Sequence, residues 1–302
     1  MMLVALWLAM VVLPAPTDIC RTSTPSVTPR FESRDYAEAS RLIAQQESVD
    51  DTAANPKGRS VFLTHGRRTT WAVVLLHGFA NSPEQFRGLA DSLYADGSNV
   101  WVPRLPYHAA LRGAAALSRL KAEDLRNAAG SAVDIGNGLG DSVVVLGFSM
   151  GGVAAAWVAQ CRSDIQRVVI VSPALALGHV PIPLDRALVS AMLRLPNITH
   201  RLVRDPTRTD RELGWSTHAV AQILRLGLAI ERVAERSGPS VQDIRMLINA
   251  HDQTISAAAG LALASRWAAA GATVTVYQLS DSLRLPHDII DATEPGGRPA
   301  LV

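Results

Sequence analysis

Only two cysteines, Cys20 and Cys161, occur in the 302 residues, so the chain has no framework from which a disulfide-stapled fold could be read. One bridge would suit an exported protein. But Cys20 falls in the leading segment and Cys161 behind a helical pattern, so Cys161 is expected to be a free buried thiol. An excess of one charge is also missing. Lys and Arg (29) nearly balance Asp and Glu (27), which gives no sign of a nucleic-acid surface or an acidic tail. No apolar run reaches the roughly 20 residues needed to cross a bilayer. Met1 to Pro16 is apolar and ends in small residues and prolines, like the apolar part of an export signal, yet it lacks the positive charges that normally precede one. Thr17, Asp18 and Ile19 stand where a lipoprotein signal would place small and apolar residues before Cys20. Residues 1–30 are therefore expected to be a leader, and the protein to be secreted, extracytoplasmic or membrane-associated through that segment. A mis-assigned start is the third reading. His108, His179, His200 and His218 show no metal-ligand spacing and are expected on the surface or in a cap, so no metal or other cofactor is expected.

What is present suits a single core. With 48% hydrophobic and 19% charged residues, residues 31–302 can form one α/β domain carrying an insertion. Short Val-rich runs alternate with helical patterns. Runs at 60–64 and 71–76 read as a hairpin, 99–102, 142–146 and 166–171 as strands, and 244–249 and 273–278 as later strands. Helical patterns lie at about 82–96, 117–129, 149–160 and 256–270. This rhythm predicts a mostly parallel central sheet with helices on both faces. It breaks over about 174–240, where Arg- and Leu-rich helical patterns without a strand pattern predict a small helical cap. The Gly- and Pro-rich end, 291–302, shows no clear element.

Gly147, Phe148, Ser149, Met150 and Gly151 spell G-x-S-x-G directly after the apolar run Val143 to Leu146. A strand feeding such a turn projects the serine hydroxyl clear of the sheet edge, and the small neighbours, including Gly152, relieve crowding there. A serine hydroxyl needs a base to take its proton and a carboxylate to orient that base. Asp252 follows one late strand and His287 follows the next, where the carboxyl ends of parallel strands open into a crevice. Asp243, which precedes its strand, and Asp281, close to His287, are weaker alternatives for the acid. His251, adjacent to Asp252, would point the wrong way to act as the base. The oxyanion needs two backbone donors, assigned to the N–H groups of Met150 and of Phe79 in the turn His77 to Ala80. His77 is expected to shape that turn, and Asp288 to open a helix. In the cap, Met192 and Leu193 are candidate acyl-pocket residues.

These motifs resemble the α/β-hydrolase superfamily, and within it the serine carboxylesterase and monoacylglycerol-lipase group, also described as serine aminopeptidase-like. The resemblance rests on H-G-F at 77–79, R-L-P-Y-H at 104–108, G-F-S-M-G-G at 147–152, the turn at Asp252 and the histidine at 287. It implies an α/β-hydrolase fold whose cap follows the strand after the nucleophile helix, and hydrolysis of a small-molecule carboxylic ester through an acyl-serine. Tyr107 stands where relatives often have glycine, which would narrow the pocket. An aminopeptidase-like amide hydrolase is the alternative within the superfamily. It would need a cap carboxylate to anchor a substrate amine, from among Asp185, Asp210, Glu212, Glu231 and Glu235. A binding protein that keeps the fold without catalysis is the third reading. The oligomeric state is not readable.

Overall fold

Seven runs of β-branched and apolar residues pair into one sheet. A computed structural model describes residues 19–20, 35–110, 114–181, 184–201 and 214–291. It orders the sheet as β1 (Val61–Leu63), β3 (Asn99–Val102), β2 (Thr69–Leu76), β4 (Gly140–Phe148), β5 (Arg167–Val171), β8 (Asp243–Asn249) and β9 (Thr273–Leu279). Every neighbouring pair is parallel except β1 with β3. Alternate residues face opposite layers, so Val143 and Val145 look one way and Val144 and Leu146 the other.

One face carries α4 (Ala122–Leu139), α5 (Met150–Cys161) and α8 (Ala257–Ala269), packed on Val74, Leu76, Val145, Ile170 and Met246. α1 (Tyr36–Ala53) lies against α4, and α7 (Thr217–Ala234) against α4, α5 and α8. The opposite face is covered by a 3₁₀ turn, Pro83–Phe86, and by α2 (Arg87–Ala95). Phe86 and Ala90 there meet Val73, Leu75, Val100 and Val102. Parallel strands buried on both faces account for the unbroken Val and Leu runs.

In secondary structure, the protein departs from the sequence expectation in four places. The 60–64 run does not form a hairpin with β2 but pairs antiparallel with β3. Buried Asn99 is the reason: its Oδ1 accepts from His65 N–H at 2.9 Å and its Nδ2 donates to Arg67 O at 2.7 Å, which carries the linker past β3. Helix α1 was not expected, because it buries only Ala39, Ile43 and Asp50 and so shows a weak apolar stripe. The 117–129 pattern is split into α3 (Ala114–Leu117) and the longer α4. The stretch 174–240 holds α6 (Asp185–Arg194) and a two-stranded ribbon of β6 (Thr199–Arg201) and β7 (Gly214–Ser216), besides α7. In α7, Ala219, Ile223, Leu226 and Ile230 recur at helical spacing and enter the main core, so its apolar pattern serves the helical layer. Residues 292–302 lie outside those described.

Cys161 is not a free thiol but is joined to Cys20 by a disulfide with Cα atoms 5.0 Å apart. The preceding residue is anchored as well: Ile19 enters the main core, and its carbonyl accepts from Trp157 Nε1 at 2.8 Å. Ile19 and Cys20, both within the expected 1–30 leader, are thus bound to α5. A bridge across 141 residues removes up to about 5 kcal/mol of unfolded-chain entropy in the loop-closure description. Reduction, or the pair Cys20→Ala and Cys161→Ala, is expected to lower the unfolding free energy by about 2–5 kcal/mol. Urea midpoints that are equal with and without reductant would contradict this.

Candidate active site

Ser149 sits between β4 and α5 at φ 55°, ψ −111°, a conformation that a residue with a side chain holds only when its surroundings compel it. Its N–H donates to Val171 O at 3.0 Å, and its carbonyl accepts from Val153 and Ala174 at 3.0 and 3.1 Å. The glycines are needed for clearance. A Cβ on Gly147 would overlap the Gly151 carbonyl, and one on Gly151 would overlap the carbonyl of Leu76. A Cβ on Gly152 would stand 3.0 Å from Pro173 Cα and 3.1 Å from Val171 O, so the start of α5 approaches the end of β5 tightly there.

The structure brings Ser149, His287 and Asp252 together. Asp252 lies on the turn after β8, with its side chain fully buried, and its Oδ2 is 2.6 Å from His287 Nδ1. Its other oxygen accepts from the N–H groups of Thr254 and Ile255 at 2.9 and 3.1 Å. With Nδ1 donating to the carboxylate, His287 Nε2 is the acceptor facing Ser149 Oγ at 2.8 Å. The rival groups are engaged elsewhere. Asp281 pairs with His251 at 2.7 Å, and Asp243 pairs with Arg167 at 2.6 Å. The segment before His287 has no regular structure and is held by buried Asn249, whose Nδ2 donates to Leu285 O and Pro286 O at 3.2 and 2.9 Å. Sequence reasoning missed Asn249, although its place at the end of β8 was a signal that could have pointed to it. Asp288 starts no regular helix. Its Oδ1 accepts from Ile290 and Asp291 N–H at 3.1 Å, and its Oδ2 accepts from Gln85 Nε2 at 2.7 Å.

The candidate oxyanion donors lie on two turns. Met150 opens α5, so its N–H has no intrahelical partner. On the other side, His77 Nδ1 donates to Gly78 O at 2.9 Å while its Nε2 accepts from Leu105 N–H at 3.0 Å. The Gly78 carbonyl and the Phe79 N–H belong to one planar trans peptide and point in opposite directions, so His77 also aims the Phe79 N–H. Both ring nitrogens of His77 are occupied, which leaves it no capacity to act as a base. Such an arrangement can take a proton from a serine hydroxyl and neutralise an oxyanion.

Tyr107, at φ 66°, lies on the loop after β3. Arg119 covers its ring at 5.1 Å. The loop is fixed by a buried ion pair in which Arg104 Nε meets Asp50 of α1 at 2.7 Å, while Asp50 also accepts from Ser60 N–H at 2.8 Å. Tyr107 lines two cavities, one of about 1000 Å³ between α1 and α4 and one of about 370 Å³ bordered by Arg119, Lys121, His218 and Gln222. Met192 and Leu193, half-buried on α6, line neither cavity, and neither does Ser149. His108, expected at a surface, is fully buried. Of the cap acids, Asp185 is buried at the start of α6, and Glu235 approaches Arg266 at 3.8 Å. Burial pushes the Asp185 and Glu231 carboxyls above their usual range. Asp210 and Glu212 lie outside the described residues. Among the described residues no three His, Cys, Asp or Glu side chains converge as metal ligands.

A family model described as the alpha/beta hydrolase fold matches residues 72–277. Among solved structures, the chain is similar to a monoacylglycerol lipase of Paleococcus ferrophilus at 18% identity and TM-score 0.56, over 77% of this chain and 91% of that one. It is also similar to a soluble variant of monoglyceride lipase from Saccharomyces cerevisiae, bound to a substrate analogue, at 14% identity and TM-score 0.56, over 75% and 84%. A structure from work on the metagenome-derived lipolytic enzymes LipS and LipT matches at 17% identity and TM-score 0.56, over 75% and 89%. No curated protein matches the sequence.

His77 and His108 lie together under the site with ring centroids 5.2 Å apart. Burial, above all, lowers His77 well below the usual histidine range and lowers His108 to about 4. The unfolded chain binds these protons from about pH 6.5 downward while the folded protein refuses them, so acid favours unfolding. Their contribution is complete above pH 6.5 and is lost as pH falls. For His108 the loss is about 3 kcal/mol by pH 4. Urea midpoints are therefore expected to fall between pH 6.5 and 4, and to fall less steeply in His108→Asn. A wild-type slope in that variant would contradict the assignment.

Proposed function

Because this chain belongs to the α/β-hydrolase family, we propose that it is a serine hydrolase that cleaves carboxylic esters, either short- to medium-chain acyl esters or monoglycerides. The observation that carries this reading is the unbroken relay from Asp252 to His287 to Ser149, at 2.6 and 2.8 Å. Ser149 Oγ attacks the ester carbonyl as His287 Nε2 takes its proton, and buried Asp252 stabilises the imidazolium. The N–H groups of Phe79 and Met150 hold the oxyanion, each worth about 3–4 kcal/mol of transition-state stabilisation. The tetrahedral intermediate collapses with loss of the alcohol, which takes the proton from His287. Water, activated by the same histidine, then releases the acid from the acyl-serine. Similarity to lipolytic enzymes supports the ester reading. In this scheme Tyr107, on the loop after β3, bounds the substrate, and Met192 and Leu193 on α6 are its candidate acyl contacts.

The Cys20–Cys161 bridge supports an exported protein, because such bonds persist in oxidising compartments. In this reading residues 1–16 are the export leader, or an anchor at a membrane surface.

Turnover of p-nitrophenyl butyrate and octanoate, compared with aminoacyl p-nitroanilides, tests the assignment. Esters are expected to be the faster class. Ser149→Ala should lower kcat at least about 10³-fold and Asp252→Asn about 10²- to 10⁴-fold. Unchanged ester turnover in Ser149→Ala would overturn the mechanism, and faster amide turnover would overturn the substrate class.

A further inference from the structure

The two halves of the site come from segments far apart in the chain, and one side chain touches both. Gln85, in the 3₁₀ turn Pro83–Phe86 and buried, accepts from Gly78 N–H at 2.8 Å through Oε1. Through Nε2 it donates to Asp288 Oδ2 at 2.7 Å. Gly78 is the residue before the Phe79 donor, and Asp288 is the residue after His287. The amide orientation is fixed by chemistry, since only the oxygen can meet the N–H and only the NH₂ can meet the carboxylate. Asn81 Nδ2 adds a longer contact to the same carboxylate oxygen at 3.3 Å.

We propose that Gln85 is a positioning residue that locks the oxyanion turn to the catalytic histidine through Asp288, holding Phe79 N–H and His287 in register about Ser149. This rests on the serine-hydrolase reading above. On the turn side, Gly78 is held through both of its peptides: its N–H, in the peptide with His77, by Gln85, and its carbonyl, in the peptide with Phe79, by the His77 ring. On the histidine side, Asp288 closes the Ile290 and Asp291 turn with one oxygen and offers the other to Gln85. The Gln85 amide therefore links the oxyanion turn to the segment that carries the base. It is buried, so water does not substitute for it readily.

The polarity of the link gives a test with a definite sign. In Gln85→Glu, one carboxylate oxygen keeps Gly78 N–H while the other faces Asp288, so the bridge is repelled. In Asp288→Asn, an oxygen kept on Ile290 and Asp291 turns an NH₂ group toward the Gln85 NH₂. Combining the two substitutions restores a bridge with its donor reversed, because the amide introduced at position 288 then donates to the carboxylate introduced at position 85. A misplacement of about 1 Å is worth about 100-fold in rate. The expected kcat for ester turnover, normalised to active sites titrated with a fluorophosphonate so that misfolded protein does not count, is at least about 10-fold lower in each single variant. KM should move less than about threefold, and the double variant should recover at least about 10-fold over Gln85→Glu. Wild-type kcat in Gln85→Glu, or a double variant as slow as the product of the singles, would overturn the proposal. If Gln85→Glu does not fold, the double variant alone decides: near-wild-type kcat supports the bridge and a loss overturns it. Ser149→Ala separates the levels. Retained turnover there removes the underlying reading and the bridge with it, whereas an inactive Ser149→Ala beside an unimpaired Gln85→Glu removes the bridge alone.

Discussion

A serine held at positive φ on the end of a central strand dictates where the other groups of this site must stand. At φ 55° the Ser149 backbone is strained by roughly 1–3 kcal/mol, and its main-chain bonds to Val171, Val153 and Ala174 compel it. The same turn lets α5 begin against β2 and β5, with no room for a Cβ at 147 or 151 and little at 152. The serine hydroxyl, the α5 N-terminus and the turn after β2 are thereby brought to one edge of the sheet. A side chain at Gly151 would force the start of α5 and the end of β2 apart, and one at Gly147 would push against Gly151 and Ala155.

The remaining groups reach that edge because the sheet is parallel. β2, β4, β8 and β9 all point their carboxyl ends the same way, so the turns that follow them meet over Ser149. Convergence brings the groups near, and buried polar side chains set their orientation. Asn249 binds the carbonyls before His287, Asp252 binds its ring, and Asp288 receives Gln85 after it. His77 fixes the peptide that presents Phe79, and the Asp50–Arg104 pair fixes the loop that presents Tyr107. Asn249, Asp252, Gln85, His77 and Asp50 are buried polar groups with hydrogen-bonded partners, which orients a neighbour more sharply than apolar packing does.

The sequence showed those parts whose signals are local. G-x-S-x-G after an apolar strand, H-G-F after another, and an acid and a histidine each following a strand are short patterns tied to strand ends, and in the structure His287 lies within hydrogen-bond distance of both Ser149 and Asp252. The parallel sheet was legible for the same reason, from strand and helix periods. Long-range bonds left no such trace. Gln85 meets Asp288 across 203 residues and Cys20 meets Cys161 across 141, and no periodicity marks either partner. β1 was assigned to the wrong neighbour because two nearby strand patterns look like a hairpin, while Asn99, more than thirty residues downstream of His65, decides the crossing. The apolar spacing of α7 was legible as a helix face that packs on the domain, and Ala219, Ile223, Leu226 and Ile230 do enter the main core.

The central claim is that Ser149 is the activated nucleophile of this fold. Treatment of the folded protein with a fluorophosphonate, followed by peptide mapping, tests it most directly. The account predicts a single adduct on Ser149, lost in Ser149→Ala and strongly slowed in His287→Ala. An adduct on another residue, or equal labelling of Ser149→Ala, would contradict it.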